Sequence, residues 1–218
     1  YSAPAAYFFP VTSKMTAVEV TKGPAAIKYG PNTVAGALNL ITRSVPDENE
    51  GEIDVALGSD GYQKLHGYYG FNASEKLGIL VEGITLRSDG FQELDNGGNV
   101  GFEKNDYNLK AQYDLSSKDV SSVVIFKANY ADEVSNFTYT GLTDEDFRQT
   151  PYLRYAGGQL DRMDWEHTAF SVSHFLETSD FSLATQVYRQ DLDRAWNKLN
   201  RFISSFGDSV PSLLSIVN

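Results

Sequence analysis

The sequence has no cysteine and few residues of several other types, among them 3 histidines and 2 tryptophans. Without cysteine, a disulfide framework, a thiolate metal site and a thiol nucleophile are all excluded, although the cellular compartment stays open. Positive charge is also scarce, since 18 Lys and Arg stand against 29 Asp and Glu, for a net charge of −11. No basic stripe is available to neutralise phosphates, so nucleic-acid binding is not expected.

Long hydrophobic runs are absent as well. No segment approaches the roughly 18 consecutive apolar residues that a membrane-spanning helix needs, which excludes a helical membrane protein. A membrane β-barrel stays possible, because its strands carry apolar residues only at alternate positions. Tyr and Phe are abundant at 13 each, and such residues suit pleated surfaces and membrane interfaces.

Sequence motifs of enzymes are not found. The chain contains no Gly-x-Ser-x-Gly elbow, no P-loop and no dinucleotide fingerprint, and none of its many carboxylate pairs is singled out by its setting. The histidines His66, His167 and His174 lack a metal-ligand spacing and are expected to be ordinary wall residues. We therefore expect neither catalysis nor a resident cofactor or metal.

Seven segments between about residues 51 and 190 are predicted to be strands, because apolar and polar side chains alternate in them with a period of two. The third, at 77–87, is apolar on both sides and alternates less clearly. At about 9 to 13 residues each, they have the length that a tilted strand needs to cross a bilayer. Aromatic residues near strand ends are expected in an interfacial girdle: Tyr68, Tyr69, Tyr130, Trp165 and Tyr188. The clearest alternation, at 106–115, predicts that Tyr107, Leu109, Ala111 and Tyr113 face lipid and that Asn108, Lys110 and Gln112 face a lumen.

The connections between these segments are alternately short and long. Residues 72–76, 114–119 and 177–180 form tight polar turns, whereas residues 88–104 and 131–162 are long, and the short connector at 58–62 is an exception. This asymmetry is typical of an outer-membrane barrel with short periplasmic turns and long extracellular loops. Within the second long loop, Thr143 and Asp146 have the spacing of a capping box and predict a short helix.

Ahead of the alternating segments, residues 18–42 read "VEVTKGPAAIKYGPNTVAGALNLIT". Repeated Gly and Pro exclude a helix here, and the flanking alternation predicts two strands joined by turns. With Arg43 added, this stretch resembles the C-terminal part of the plug domain of TonB-dependent outer-membrane receptors. The loop sequence "GLTDEDFRQTPYLRYAGGQLDRMDWEH" looks like the ferric-citrate branch of that family.

The resemblance implies a fold and a domain organisation. Residues 1–45 would be the C-terminal part of a plug, and residues 46–218 the N-terminal portion of an antiparallel transmembrane β-barrel. Barrels of this class have about 22 strands, so a chain with about seven would be one part of a larger receptor. The segment that contacts TonB would lie outside it.

The resemblance also implies a function, namely import of a ferric chelate such as ferric citrate across the outer membrane of a Gram-negative bacterium. An anionic chelate favours guanidinium donors, which gives a predicted ligand site of Arg148, Tyr152, Arg154, Gln159 and Arg162. Alternatively, these arginines pair with Asp144, Glu145, Asp146 and Asp161 and only hold the loop together.

A second predicted site joins plug and barrel. The family pattern implies that the basic residue before Gly-Pro, here Lys22, pairs with carboxylates of the inner wall, with Glu19 and Arg43 beside it. Lysine at this position lacks the bidentate fork of the arginine that is common there. A solvated Lys22 is the alternative.

Other functions stay open at this stage. The same scaffold imports cobalamin, haem and oligosaccharides. A β-rich surface adhesin would need neither the plug motif nor the alternation of long and short loops. A hydrolase barrel would need a facing nucleophile and base, and none stands out.

Overall fold

The computed structural model describes residues 9–24, 35–94 and 97–200. The residues outside the described part are 25–34, between the two predicted strands of the 18–42 stretch, 95–96 in the first long loop, and 1–8 and 201–218 at the two ends. The described elements, after a short 3-10 turn at Thr12–Lys14, are β1 Met15–Lys22, β2 Gly36–Thr42, β3 Glu50–Leu57, β4 Gln63–Ser74, β5 Leu77–Ser88, β6 Glu93–Leu94, β7 Phe102–Asp114, β8 Ser121–Ser135, α1 Asp144–Gln149, β9 Leu153–Arg154, β10 Arg162–Glu177 and β11 Ser182–Asn197.

One large antiparallel sheet dominates the structure. Its seven strands follow the order β11-β10-β8-β7-β5-β4-β3, so each strand pairs with the next long strand along the chain. These are the seven strands predicted from the alternation, and that prediction is confirmed. The later strands are longer than expected, at 15 residues for β8 and 16 for β10 and β11.

The two faces of this sheet differ in the way predicted from β7. Tyr107 and Leu109 are exposed on one face, which we call the outer face. Lys110 and Asp106 are buried on the opposite, inner face, where the N-terminal segment packs. Cross-strand pairs extend the outer face over neighbouring strands, as in Tyr107 with Tyr130 and Leu109 with Ala128. An outer face of exposed aromatic and aliphatic side chains suits a lipid environment.

The predicted aromatic girdle is wrong for three of its five members. Tyr69 and Tyr130 lie on the outer face, but the strand register places Tyr68, Trp165 and Tyr188 on the inner face. Tyr68 stacks under the guanidinium of Arg43, and Trp165 is buried. The error arises because proximity to a strand end says nothing about which face a side chain occupies, whereas residue parity does.

Strands β1 and β2 form a separate two-stranded antiparallel ribbon, which we call the N-terminal ribbon. As predicted, neither strand is hydrogen-bonded to the seven-stranded sheet. The linker after β2 packs on the inner face. There the ring of Pro46 lies so close to Gly70 that no side chain would fit at position 70. The ribbon therefore sits beside the wall of the sheet and is joined to it by side chains and by this linker.

The helices are short. The predicted capping box is confirmed, since Thr143 is the N-cap of α1 and its hydroxyl accepts a hydrogen bond from the backbone N–H of Asp146 at 3.2 Å. In the described residues, no helix is long and apolar enough to span a membrane.

Candidate functional site

The two long loops leave the same end of the sheet and join each other there. Strands β6 and β9 pair in parallel, and the backbone N–H of Glu93 donates to the carbonyl of Tyr152 at 2.8 Å. The rings of Phe91 and Tyr152 meet edge to face with centroids 6.4 Å apart. This long-loop end of the sheet is thus covered by one connected loop assembly.

Tyr155 organises the larger loop from inside. Its side chain is 2% exposed, its hydroxyl donates to Oδ2 of Asp146 at 2.5 Å, and it accepts from the backbone N–H of Thr143 at 3.0 Å. Burial, followed by the hydrogen bond to Asp146, raises the pKa of Tyr155 above its usual value. Because Thr143 and Asp146 open α1, a neutral tyrosine fixes the helix start.

Arg154 also lies inside the loop assembly. It is 2% exposed, and its two terminal nitrogens donate to the backbone carbonyls of Asn136 and Gly158. Burial lowers the pKa of Arg154, and the charge of Asp161 opposes this shift. In this structure Arg154 holds the loop together, as in the alternative interpretation, but its hydrogen bonds go to backbone carbonyls and not to the carboxylates expected there. Ligand contact by Arg154 stays a prediction.

The remaining predicted ligand residues lie in different settings. Arg148 is exposed on α1, with a nitrogen 4.0 Å from Glu145, and Tyr152 and Gln159 are exposed on the loop. Arg162 is exposed at the start of β10 and lies 3.1 Å from Asp164, on the outer side of that strand. The structure therefore does not gather the three arginines around one point.

The inner wall near the long-loop end carries a cluster that the sequence analysis missed. Ala131, Met163 and Trp165 are buried together, with Leu192 and Trp196 packed against them. Lys104 lies beside this cluster, its ammonium 5.0 Å from the centre of the Trp165 ring and 3.1 Å from Glu133.

A signal for this cluster exists in the sequence. In the first half of β10, apolar Met163 and Trp165 alternate with acidic Asp164 and Glu166, while in the second half Phe170 and Val172 carry the opposite parity. Along β10 the apolar residues therefore change from odd to even positions, because the outer face is apolar only along part of the strand.

Next to this cluster, three side chains form a cationic and aromatic group. The ammonium of Lys198 lies 4.0 Å from the centre of the Trp196 ring and 4.1 Å from that of Tyr139. The two rings meet at 74° with centroids 6.0 Å apart. The backbone N–H of Leu199 donates to Asp161 at 2.8 Å, which fixes the main chain beside Lys198.

The N-terminal segment is attached to the inner wall at two points on β7. Lys14 Nζ lies 2.6 Å from Asp106 Oδ1, which also accepts from Asn129 at 2.7 Å. Lys110 donates to the hydroxyl of Thr42 at 2.8 Å and to the carbonyl of Arg43.

Of the predicted plug-barrel residues, only Arg43 touches the described wall. Its guanidinium carbon lies 3.6 Å from the centre of the Tyr68 ring. Glu19 accepts from Asn39 within the ribbon at 2.9 Å, and Lys22 is exposed. Neither forms an ion pair with the seven-stranded sheet across the described ranges, so their pairing with a barrel wall stays a prediction.

The wall histidines are held by neighbouring strands. His66 Nε2 lies 3.0 Å from buried Glu82, and His174 Nε2 lies 3.0 Å from the hydroxyl of Ser122. Within the part of the chain that the structure describes, no group of three His, Asp or Glu side chains is arranged to hold a metal ion.

The chain was compared with protein-family models, curated proteins and solved structures. No protein-family model matches the sequence. The chain is 31% identical over 87 residues to the vitamin B12 transporter BtuB of Photobacterium profundum, covering 37% of this chain and 14% of that protein. It is 28% identical over 149 residues to BtuB of Vibrio vulnificus, covering 66% of this chain and 24% of that protein.

Solved structures of siderophore receptors share the fold. A mutant ferric enterobactin receptor of Pseudomonas aeruginosa (PfeA) in complex with enterobactin matches 81% of this chain with a TM-score of 0.58 and 20% identity. The siderophore receptor PiuA of Acinetobacter baumannii matches 84% with a TM-score of 0.62 and 15% identity. At these identities the matches show the fold alone.

The chain spans between 14% and 28% of the length of these relatives and structures. None of these matches confirms the ferric-citrate branch expected from the loop motif. Together, the partial sequence similarity to vitamin B12 transporters and the fold shared with siderophore receptors support the resemblance to TonB-dependent receptors.

Proposed function

We propose that the chain is part of an outer-membrane receptor of a Gram-negative bacterium that imports a ferric chelate, with ferric citrate or a citrate-type siderophore as ligand. The observation that carries this proposal is the placement of the N-terminal ribbon. It is attached to the polar inner face through Lys14–Asp106 and Lys110–Thr42, while the opposite face exposes aromatic and aliphatic side chains. A wall with lipid on one side and a polar segment on the other suits a lumen that is closed by a plug.

The ligand would bind at the long-loop end of the inner wall. Although the chain carries a net charge of −11, the cations Lys104 and Lys198 lie there beside Trp165, Trp196 and Tyr139. Ammonium groups attract an anionic chelate, and aromatic rings supply flat apolar contact. The exposed loop residues Arg148, Tyr152 and Gln159 would meet the ligand first.

Import in this proposal involves no chemical conversion by the chain. Iron would be cargo inside the chelate, and we expect the chain itself to need no cofactor. Energy would come from TonB through a plug segment beyond this chain, and outer-membrane lipid would surround the outer face.

Cobalamin is the alternative ligand that a specific observation favours. The relatives from Photobacterium profundum and Vibrio vulnificus are both named vitamin B12 transporters. Cobalamin carries far less negative charge than a ferric citrate complex, so the cations at the long-loop end would contribute little to its binding.

A binding experiment on the full-length receptor that contains this chain separates these ligands. Purified receptor in detergent is titrated by calorimetry with ferric citrate, ferric enterobactin and cyanocobalamin. The proposal expects saturable binding of a ferric chelate. Binding of cyanocobalamin alone would transfer the assignment to the alternative, and binding of no probe would contradict both.

A further inference from the structure

Lys198, just after the end of β11, lies with its ammonium against two aromatic rings. Its ammonium stands 4.0 Å and 4.1 Å from the centres of the Trp196 and Tyr139 rings, so two aromatic faces hold it. The residue as a whole is nevertheless exposed. Throughout the described residues, no carboxylate forms an ion pair with it.

Trp196 adds a second donor at the same place. Its indole Nε1 is buried, and among the described residues it has no hydrogen-bond partner. A buried N–H without an acceptor costs free energy, so such a group is a candidate for an acceptor that arrives from outside. The ring also packs against the buried cluster of Met163 and Trp165, which holds the indole in one orientation.

Trp196 faces the inner side of the wall, and the Lys198 ammonium lies against its ring. Trp196 pairs with Met163 across β10 and β11, and Met163 shares the inner-face parity of Trp165. The main chain after β11 is fixed by the hydrogen bond from Leu199 to Asp161. The ammonium is therefore positioned before any ligand arrives, which reduces the entropy lost on binding.

We propose that Lys198 contacts the anionic group of the imported ligand and that Tyr139 and Trp196 position its ammonium. The ligand class is a carboxylate-rich or otherwise anionic metal chelate, with one acceptor oxygen on Lys198 and a second within reach of the Trp196 indole. This inference rests on the proposed function and deepens it, because it assigns a residue that favours charged over neutral ligands.

The test uses the full-length receptor with ferric citrate as the probe. Lys198→Met removes the charge and keeps the apolar stem, and Lys198→Arg keeps the charge. We expect Lys198→Met to weaken binding roughly ten-fold or more, since a charge-assisted contact is lost. Lys198→Arg should stay within about three-fold of wild type, and the difference between the two variants should shrink as salt rises.

Three further variants accompany this test, two of them as controls that separate the effect of charge from that of folding. Lys118→Met removes an exposed lysine from the short turn at the opposite end of the sheet and should leave binding unchanged. Lys198→Gln provides a second neutral variant if Lys198→Met lowers the thermal midpoint of the receptor. Trp196→Phe removes the indole donor but keeps an aromatic ring and should give an intermediate loss.

The outcomes also separate this inference from the proposed function. If the wild-type receptor binds ferric citrate and both neutral variants bind equally well, the role of Lys198 is overturned while the function stands. If the wild-type receptor binds only cyanocobalamin or nothing, the ferric-chelate function fails and the role of Lys198 with it.

Discussion

Lys14 and Asp106 are separated by 92 positions in the sequence, yet their side chains form an ion pair of 2.6 Å. Both side chains are almost fully buried, at 3% and 5% exposure. The pair joins the turn ahead of the N-terminal ribbon to the central strand of the sheet. Four residues further along the same strand, Lys110 holds Thr42, which pairs with Met15 at the same end of the ribbon.

Removing one partner of this pair should loosen the ribbon. Asp106→Asn leaves the ammonium of Lys14 buried without a counter-charge, and breaking a buried pair in this way costs about 3–5 kcal/mol. Hydrogen exchange of the β1 and β2 amides should accelerate in the full-length receptor. As a matched control, Asp191→Asn breaks the exposed pair with Arg189 and should leave the exchange of these amides unchanged. Equal exchange in both variants would contradict the anchoring role.

The contact between the linker and β4 predicts a strict size limit at Gly70. A Cβ atom there would overlap the ring of Pro46, so Gly70→Ala should destabilise the receptor by about 1–3 kcal/mol. Gly67→Ala on the same strand is the control, because the nearest atom to its Cβ would be 3.5 Å away. Urea unfolding of the receptor in lipid vesicles measures both. A Gly70→Ala variant as stable as Gly67→Ala would show that the linker does not pack as described.

The loop assembly should depend on pH through Tyr155. Its pKa is raised, so the neutral form is favoured in the folded loop, and the resulting stability is present below about pH 10. This stability is lost as pH rises through the folded pKa. Subtracting the tyrosinate absorbance titration of Tyr155→Phe from that of wild type isolates this group. Its step should lie above the pH at which a free tyrosine ionises, and a step at or below about pH 10 would count against the buried hydrogen bond.

Features set by neighbouring residues could be predicted from this sequence, whereas contacts between residues far apart in the chain could not. The period-two alternation predicts all seven long strands because each strand shows it locally, and the capping box at Thr143 predicts α1 for the same reason. The partnership of Lys14 and Asp106 leaves no local trace, since it depends on how the ribbon meets the wall. The inward position of Trp165 could have been predicted from parity, had the inversion of phase along β10 been recognised.

That inversion predicts where the membrane ends on the outer face. Val172 and Glu166 lie on the same face of β10, one in its apolar half and one in its acidic half. In a receptor otherwise free of cysteine, Glu166→Cys should react with a membrane-impermeant maleimide on intact cells. Val172→Cys should resist that reagent and respond to a lipid-soluble one. Equal labelling of both positions by the impermeant reagent would place the whole strand in water.

Import of a ferric chelate driven through TonB can be measured as uptake in cells. The full-length receptor is produced in a Gram-negative strain without its own iron-chelate receptors, with TonB present or deleted, and radiolabelled ferric citrate is supplied. Iron should accumulate only when both the receptor and TonB are present. Accumulation that is independent of TonB, or no accumulation despite normal receptor levels in the outer membrane, would contradict this proposal.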